Sequence, residues 1–172
     1  EQKLYEGGLS VRTSMDSKLQ ALAEKALRDG LMAYDRRHGW RGPLGTVPTG
    51  EGWAHRLAEL PPVPGIGDWT VALVLGMDDK AADIGFADGS RGHIPMAQMS
   101  WARPWKKEQL LGPSVKLPKD VLRVGDVVAV EPVADGPKGA FALEQIPNVG
   151  GGMVAMDPHT GRVLALVGGW DY

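Results

Sequence analysis

The chain has no cysteine among its 172 residues. Disulfides, thiolate nucleophiles and cysteine-ligated zinc are therefore excluded, while the compartment stays open because many periplasmic proteins also lack cysteine. It has no charge excess either: 19 Lys and Arg face 21 Asp and Glu, for a formal net charge of −2. That balance removes the sequence-independent attraction to phosphate on which most nucleic-acid binding rests. No apolar run approaches the roughly 20 residues needed to span a bilayer, and the stretch Glu1 to Tyr5 lacks a signal-peptide pattern. The chain as it stands is expected to be soluble, and the missing initiator methionine suggests an excised piece.

Catalytic motifs are missing as well. The serines are Ser10, Ser14, Ser17, Ser90, Ser100 and Ser114, and none has a lysine three positions on or sits in a Gly-x-Ser-x-Gly elbow. His38, His55, His93 and His159 are scattered, with no His-Glu-x-x-His and no pair spaced for zinc. Gly65-Ile66-Gly67 lacks the third glycine and following helix of a dinucleotide fingerprint, and Gly150-Gly151-Gly152 lacks the Lys-Ser/Thr of a phosphate loop. No metal, cofactor or catalytic residue is expected.

Glycine and proline are abundant instead. The 24 Gly and 13 Pro make about 22% of the chain, against roughly 12% on average. An apolar content of 43% and six Trp argue against disorder, so the excess points to a turn-rich, mainly β chain.

One long helix stands apart. Leu19, Leu22, Ala23, Ala26, Leu27, Leu31 and Tyr34 recur at spacings of three and four, which predicts a helix over 17–38. Asp16 is its N-cap, Arg36, Arg37 and His38 meet the negative end of the dipole, and Gly39 takes the left-handed position after it. Residues 8–13 alternate like a short strand, and a short helix is predicted over 51–60 with Trp53, Leu57 and Leu60 on one face. Five strands follow: Trp69 to Met77 with one buried face, Ala82 to Ala87 turning at Asp88-Gly89 into Arg91 to Met96, Asp126 to Glu131, and Ala140 to Ile146. Five short, curved strands suit an OB-like barrel, with a small sandwich as the alternative.

Met153 to Met156 and Val163 to Val167 flank the turn Asp157-Pro158-His159-Thr160-Gly161 and are apolar on both faces, as at the centre of a covered sheet. The helix is expected to cover one face, with Leu19, Leu22, Leu27 and Leu31 packed on the hairpin at roughly 1.5–3 kcal/mol for each fully buried side chain. Nothing remains to cover the other face, which suggests a larger domain cut away. The most reactive-looking surface is Trp101, Arg103, Trp105, Lys106 and Lys107, where rings interleave with cations as in single-strand-binding OB folds. The plain alternative makes Trp101 a core residue and the lysine pair solvated. The segment 44–150 holds 10 basic and 13 acidic residues, so the local balance is against nucleic acid.

The two ends carry a resemblance. Leu4-Tyr5-Glu6-Gly7-Gly8-Leu9-Ser10-Val11-Arg12-Thr13, then Tyr34-Asp35-Arg36-Arg37-His38-Gly39-Trp40-Arg41-Gly42-Pro43, resembles the class A penicillin-binding proteins of the 1A type just after their glycosyltransferase domain. Gln145-Ile146-Pro147 with Gly152-Met153-Val154-Ala155-Met156-Asp157-Pro158 and Val163-Leu164-Ala165-Leu166-Val167-Gly168-Gly169 is similar to the start of their transpeptidase domain. The resemblance implies a mainly β chain with one long helix: a five-stranded OB-like barrel at 45–150, inserted between a strand-and-helix arm at 1–44 and a β-hairpin at 151–172 of a truncated transpeptidase domain. It implies a parent that polymerises and cross-links peptidoglycan on the periplasmic face of the inner membrane. The chain itself is expected to be a non-catalytic interaction and regulatory piece, since the acylating serine motif and the glycosyltransferase glutamates of the family fall on no residue here. His159-Thr160-Gly161 is similar to the Lys-Thr-Gly box of penicillin-interacting enzymes but reads as a hairpin turn. The partners implied are the parent's other domains and, in some members, an outer-membrane lipoprotein activator. Direct binding of glycan strands through Trp101 and Trp105 is the alternative, with single-stranded nucleic acid the weaker form of it. Covalent labelling by a fluorescent penicillin is not expected.

Overall fold

The computed structural model describes residues 12–170. The short strand expected over 8–13 falls mostly outside them, and Arg12 and Thr13 are irregular. Helix α1 spans Ser17–His38, as its periodicity predicts. An Asp16 carboxylate oxygen accepts from the backbone N–H groups of Lys18 and Leu19 at 2.9 and 3.1 Å, satisfying two of the donors a helix start leaves open. At the other end Gly39 adopts φ 97°. A Cβ there would lie 2.7 Å from the Arg103 carbonyl oxygen, so backbone conformation and close approach both call for glycine. No helix among the described residues is long and apolar enough to cross a membrane.

The described residues divide into two compact units, one running to Gly30 and including Gly150–Gly169, the other comprising Leu31–Val149 with Trp170. In the larger unit, strands β1 (Gly45–Thr46), β2 (Thr70–Met77), β3 (Ala81–Gly85), β4 (Arg91–Pro95), β7 (Asp126–Pro132) and β8 (Phe141–Glu144) form one sheet in the order β1-β7-β2-β3-β4, with β8 also on β7. All these pairings are antiparallel. β4, at one end of this path, meets the residue before β8 at a parallel bridge between His93 and Ala140, where the His93 N–H donates to the Gly139 carbonyl at 2.9 Å. The hairpin predicted at Asp88-Gly89 is present, with Ser90 donating to Asp88 through both its N–H and its hydroxyl. A two-stranded ribbon, β5 (Trp105–Lys106) with β6 (Leu110–Leu111), lies between β4 and β7 in sequence.

The expectation of one buried face on β2 is corrected. Ala72 and Val74 join the main core with Ile84, Ile94, Met99, Leu122, Val128, Val130 and Leu143. Leu73, on the opposite side, is equally buried beside Val47, Leu57 and Val127, with Trp53 packed against them. The cause is helix α2 (Trp53–Ala58), shorter than the predicted 51–60, which brings Trp53 and Leu57 to the second face while Leu60 stays exposed. Trp53 approaches the sheet so closely that a Cβ on Gly85 would meet its ring at 2.3 Å.

In the smaller unit, β9 (Gly152–Met156) and β10 (Val163–Gly168) pair antiparallel. The free edge of β10 is capped by side chains and backbone before and within the first turns of α1. The Gln20 carboxamide donates to the Leu166 carbonyl at 3.1 Å and accepts from the Leu166 N–H at 3.0 Å, as a neighbouring strand would. Ser14 Oγ and the Asp16 N–H donate to the carbonyls of Val163 and Leu164. One expectation fails here. Leu19 and Leu22 are 37% and 63% exposed, because the buried line of α1 is Ala23, Leu27 and Leu31 at strict spacings of four, with Leu27 only half-buried. The other face of the hairpin is open within the described residues, as the sequence pattern implied: Val154, Met156, Val163 and Leu166 are exposed.

Gly30 stands in the interior of α1 with no atom within 4 Å of a Cβ built on it. Gly30→Ala is therefore expected to raise the stability of the helix by about 1 kcal/mol, whereas at Gly92 a Cβ would lie 2.6 Å from Phe141 and 2.9 Å from the Gly139 carbonyl, so Gly92→Ala should destabilise. Urea unfolding midpoints read both, and shifts of the same sign would contradict this packing.

Candidate interaction site

The surface expected at Trp101, Arg103, Trp105, Lys106 and Lys107 is not one face. Trp101 is half-buried against the main core. Its ring meets Trp40 edge-on at 5.9 Å, and the Arg36 guanidinium lies 5.2 Å from its centroid. Arg103 donates through Nε and Nη2 to the Gly112 carbonyl at 3.0 and 2.7 Å, holding the loop around the β5–β6 ribbon. Trp105 is exposed, as are Lys106 and Lys107. Thus two of the five residues hold the fold together and three reach solvent, with Pro104, bridged to Trp40, between the two groups.

Residues on the last turn of α1 and on the segment after β8 assemble what the sequence pattern does not disclose. Asp35 follows Leu31 by one helical turn, on the buried line, and is only 4% exposed. Its carboxylate accepts from Arg41 Nη1 at 2.6 Å, from Gln145 Nε2 at 2.7 Å and from the Asn148 N–H at 3.2 Å. Gln145 Nε2 also donates to the Gly39 carbonyl, and its amide oxygen accepts from the Arg41 N–H. Arg41 Nη2 reaches the Ile146 carbonyl at 2.6 Å. Next to them in sequence, Arg36 Nη2 bonds both oxygens of the buried Glu144 at 2.6 and 2.5 Å. The only hint in the sequence is a charged residue on an apolar helical line, and two of its three partners, Gln145 and Asn148, lie more than a hundred residues away.

Burial pushes the Glu144 carboxyl above its ordinary value, with Arg36 pulling the other way. Since the folded value exceeds the unfolded one, this group favours folding most below about pH 4.5 and loses that contribution as the pH rises through the folded value. Asp78, Asp88, Asp120 and Asp157 are lowered, chiefly by turn hydrogen bonds, so their contribution runs oppositely and is lost in acid.

Above this polar cluster lies a groove of about 510 Å³ lined by Tyr34, Asp35, His38, Arg41, Trp105 and Asn148, with Val149 at its end. The Tyr34 and His38 rings stack with centroids 4.2 Å apart, and Arg37 lies 5.8 Å from the Tyr34 centroid. His38 Nδ1 is 2.8 Å from the Tyr34 carbonyl oxygen, which can only accept, so the proton sits on Nδ1. Among the described residues no cluster of acidic and histidine side chains suits a metal ion.

A family model described as "Penicillin-binding protein OB-like domain" matches residues 40–149. The chain is similar to penicillin-binding protein 1A of Rickettsia typhi, 41% identical over 172 residues, which is all of this chain and 20% of that protein. It is 34% identical to penicillin-binding protein 1A of Escherichia coli K12, over 98% of this chain and again 20% of the relative. The chain thus spans about a fifth of the length of these relatives. The crystal structure of penicillin-binding protein 1A from Haemophilus influenzae superposes with a TM-score of 0.63 at 28% identity, covering 93% of this chain and 22% of that one.

Asp35→Ala would leave Arg41 and Gln145 without their shared acceptor. A loss of about 3 kcal/mol in unfolding free energy is expected, against less than about 0.5 kcal/mol for Lys106→Ala on the open surface. A thermal or urea denaturation series decides between them.

Proposed function

The chain belongs to the penicillin-binding protein family whose members carry an OB-like domain, and from that premise we propose that it is a non-catalytic interaction and regulatory module of a bifunctional synthase that polymerises and cross-links peptidoglycan. On this reading β2, β3, β4, β7 and β8 make a five-stranded OB barrel whose seam is the parallel contact at His93 and Ala140. The flanking arms, 1–44 and 151–172, are the edge of a transpeptidase domain into which the module is inserted. The parent is anchored in the inner membrane with this part in the periplasm, and its docking partner is an outer-membrane lipoprotein activator.

The observation that carries the reading is the closed base of the larger unit. Asp35 ties together Arg41, where the chain runs into the sheet, and Gln145 and Asn148, where it returns. A module fastened in this way can be added to a synthase without contributing a reacting group, and can present a surface to a partner. Glycan binding is favoured as a second reading by one specific feature: Trp105, exposed beside Tyr34 and His38.

The test is an intact synthase in which residues 45–143 are replaced by a short Gly-Ser linker, leaving Asp35, Arg41, Gln145 and Asn148 in place. Basal polymerisation and cross-linking, scored separately, should persist while stimulation by envelope extract falls at least tenfold. A folded variant that has lost either basal reaction would overturn the non-catalytic assignment.

A further inference from the structure

We infer that the groove between the end of α1 and Trp105 is a saccharide site, taking a short stretch of glycan strand that carries carboxylates. This deepens the glycan reading above and moves it from the sheet face to a defined set of side chains.

Trp105 is the first part of the argument. Of the six tryptophans, Trp40 and Trp69 are buried, Trp53, Trp101 and Trp170 are half-buried, and Trp105 alone is exposed, at 45%. The others have packing to do: Trp53 on the second core, Trp101 on Trp40, Trp69 on Trp170. Trp105 has no ring partner among the described residues, yet its backbone is fixed. Its N–H donates to the Trp40 carbonyl at 2.9 Å, and it pairs with Leu111 in the ribbon. A large ring held rigidly at the backbone and left open at the side chain loses little freedom on binding.

The rest of the lining decides what the ring is for. Sugar rings offer a flat C–H face to an aromatic platform and hydroxyl edges that need paired donors and acceptors. Beside Trp105 the groove supplies Arg41, held in orientation by Asp35 and the Ile146 carbonyl. It also supplies Asn148, which lines it and whose backbone N–H is engaged with Asp35. The Tyr34 and His38 pair also lines it. The volume, about 510 Å³, falls in the range of small-ligand sites, roughly 300–1,000 Å³. A flat protein interface would need an area of about 800 Å² from each partner, and the mixed polar and aromatic lining suits a small, hydroxyl-rich ligand better.

Charge selects among saccharides. Segment 44–150 has more acidic than basic residues, but next to the lining residues in sequence stand the exposed cations Arg37, whose guanidinium lies 5.8 Å from the Tyr34 ring, and Lys106 and Lys107 after Trp105, with Glu108 the one exposed acid in the 105–108 stretch. Arg41 and Asp35 compensate each other. The cations next to the lining residues in sequence outnumber Glu108, which favours a strand bearing carboxylates over a neutral one.

Calorimetric titration of the 172-residue chain tests this with two probes: uncrosslinked peptidoglycan fragments with stem peptides, released by muramidase, and neutral chitin oligosaccharides of similar length. The fragments should bind, Trp105→Ala should weaken them at least tenfold, Trp105→Phe should recover part of the loss, and Lys106→Glu with Lys107→Glu should weaken the fragments but not chitin. Circular dichroism and melting should match wild type in every variant. Absence of heat from the fragments, or equal affinity in Trp105→Ala, would overturn the site, and equal affinity for chitin and fragments would overturn its charge selection. If Trp105→Ala instead abolishes capture of a lipoprotein while the fragments give no heat, the groove is a protein site and the saccharide assignment is wrong. The linker replacement of residues 45–143 reads the module's role independently, so failure of this site leaves that reading standing.

Discussion

One buried carboxylate closes the larger unit. Asp35 and its partner Gln145 are separated by 110 positions, and bringing such distant points together costs on the order of 4 kcal/mol in loop-closure entropy. Three donors on one oxygen pair, with the Arg36–Glu144 pair close by, are of the size needed to offset it, since removing one partner from a buried charged pair typically costs about 3–5 kcal/mol. Desolvation is the opposing effect, and Glu144 registers it by titrating above its ordinary range. The cluster holds because both carboxylates are met by charged donors. Gln145 alone bonds Asp35, the Gly39 carbonyl and the Arg41 N–H.

Above that base, the sheet is stabilised from both sides. Small residues on β2 face the main core and larger ones face α2, so the strand's alternation is one of size rather than polarity. Gly85 leaves room for Trp53, and the second core of Val47, Leu57, Leu73 and Val127 follows from that one close approach. A short helix of six residues could not hold its own shape in water. Its stability comes from what its ring and Leu57 bury.

Local periodicity made α1 legible from Asp16 to Gly39, and the turn at Asp88-Gly89 marked the hairpin of β3 and β4, because in both cases the signal and the structure are set by neighbours in sequence. The second buried face of β2 was not legible, since Ala72 reads as a neutral position and the helix that covers the strand is remote. Asp35 was hidden for the same reason: a charge on an apolar line has meaning only once Arg41 and Gln145 are placed. The stripe of α1 was read too broadly, because spacings of three and four admit Leu19 and Leu22, whereas burial follows the narrower line through Ala23, Leu27 and Leu31.

The segment 101–107 shows how far composition can mislead. Its rings and cations look like one binding stripe, yet the Arg103 N–H donates to the Trp101 carbonyl in a tight reversal, and Pro104 bridges to Trp40. Alternation is broken at that point, so Trp101 and Arg103 turn into the fold while Trp105 emerges beside the end of α1. The groove there is lined by Asp35, Arg41 and Asn148, the same residues that fasten the base. Its floor therefore exists only when residues 35–41 and 145–148 are joined, and any ligand that orders Arg41 or Asn148 also favours the closed base. Binding and closure share one set of hydrogen bonds, which makes the groove the point on this chain where an occupant would be coupled most directly to the integrity of the unit.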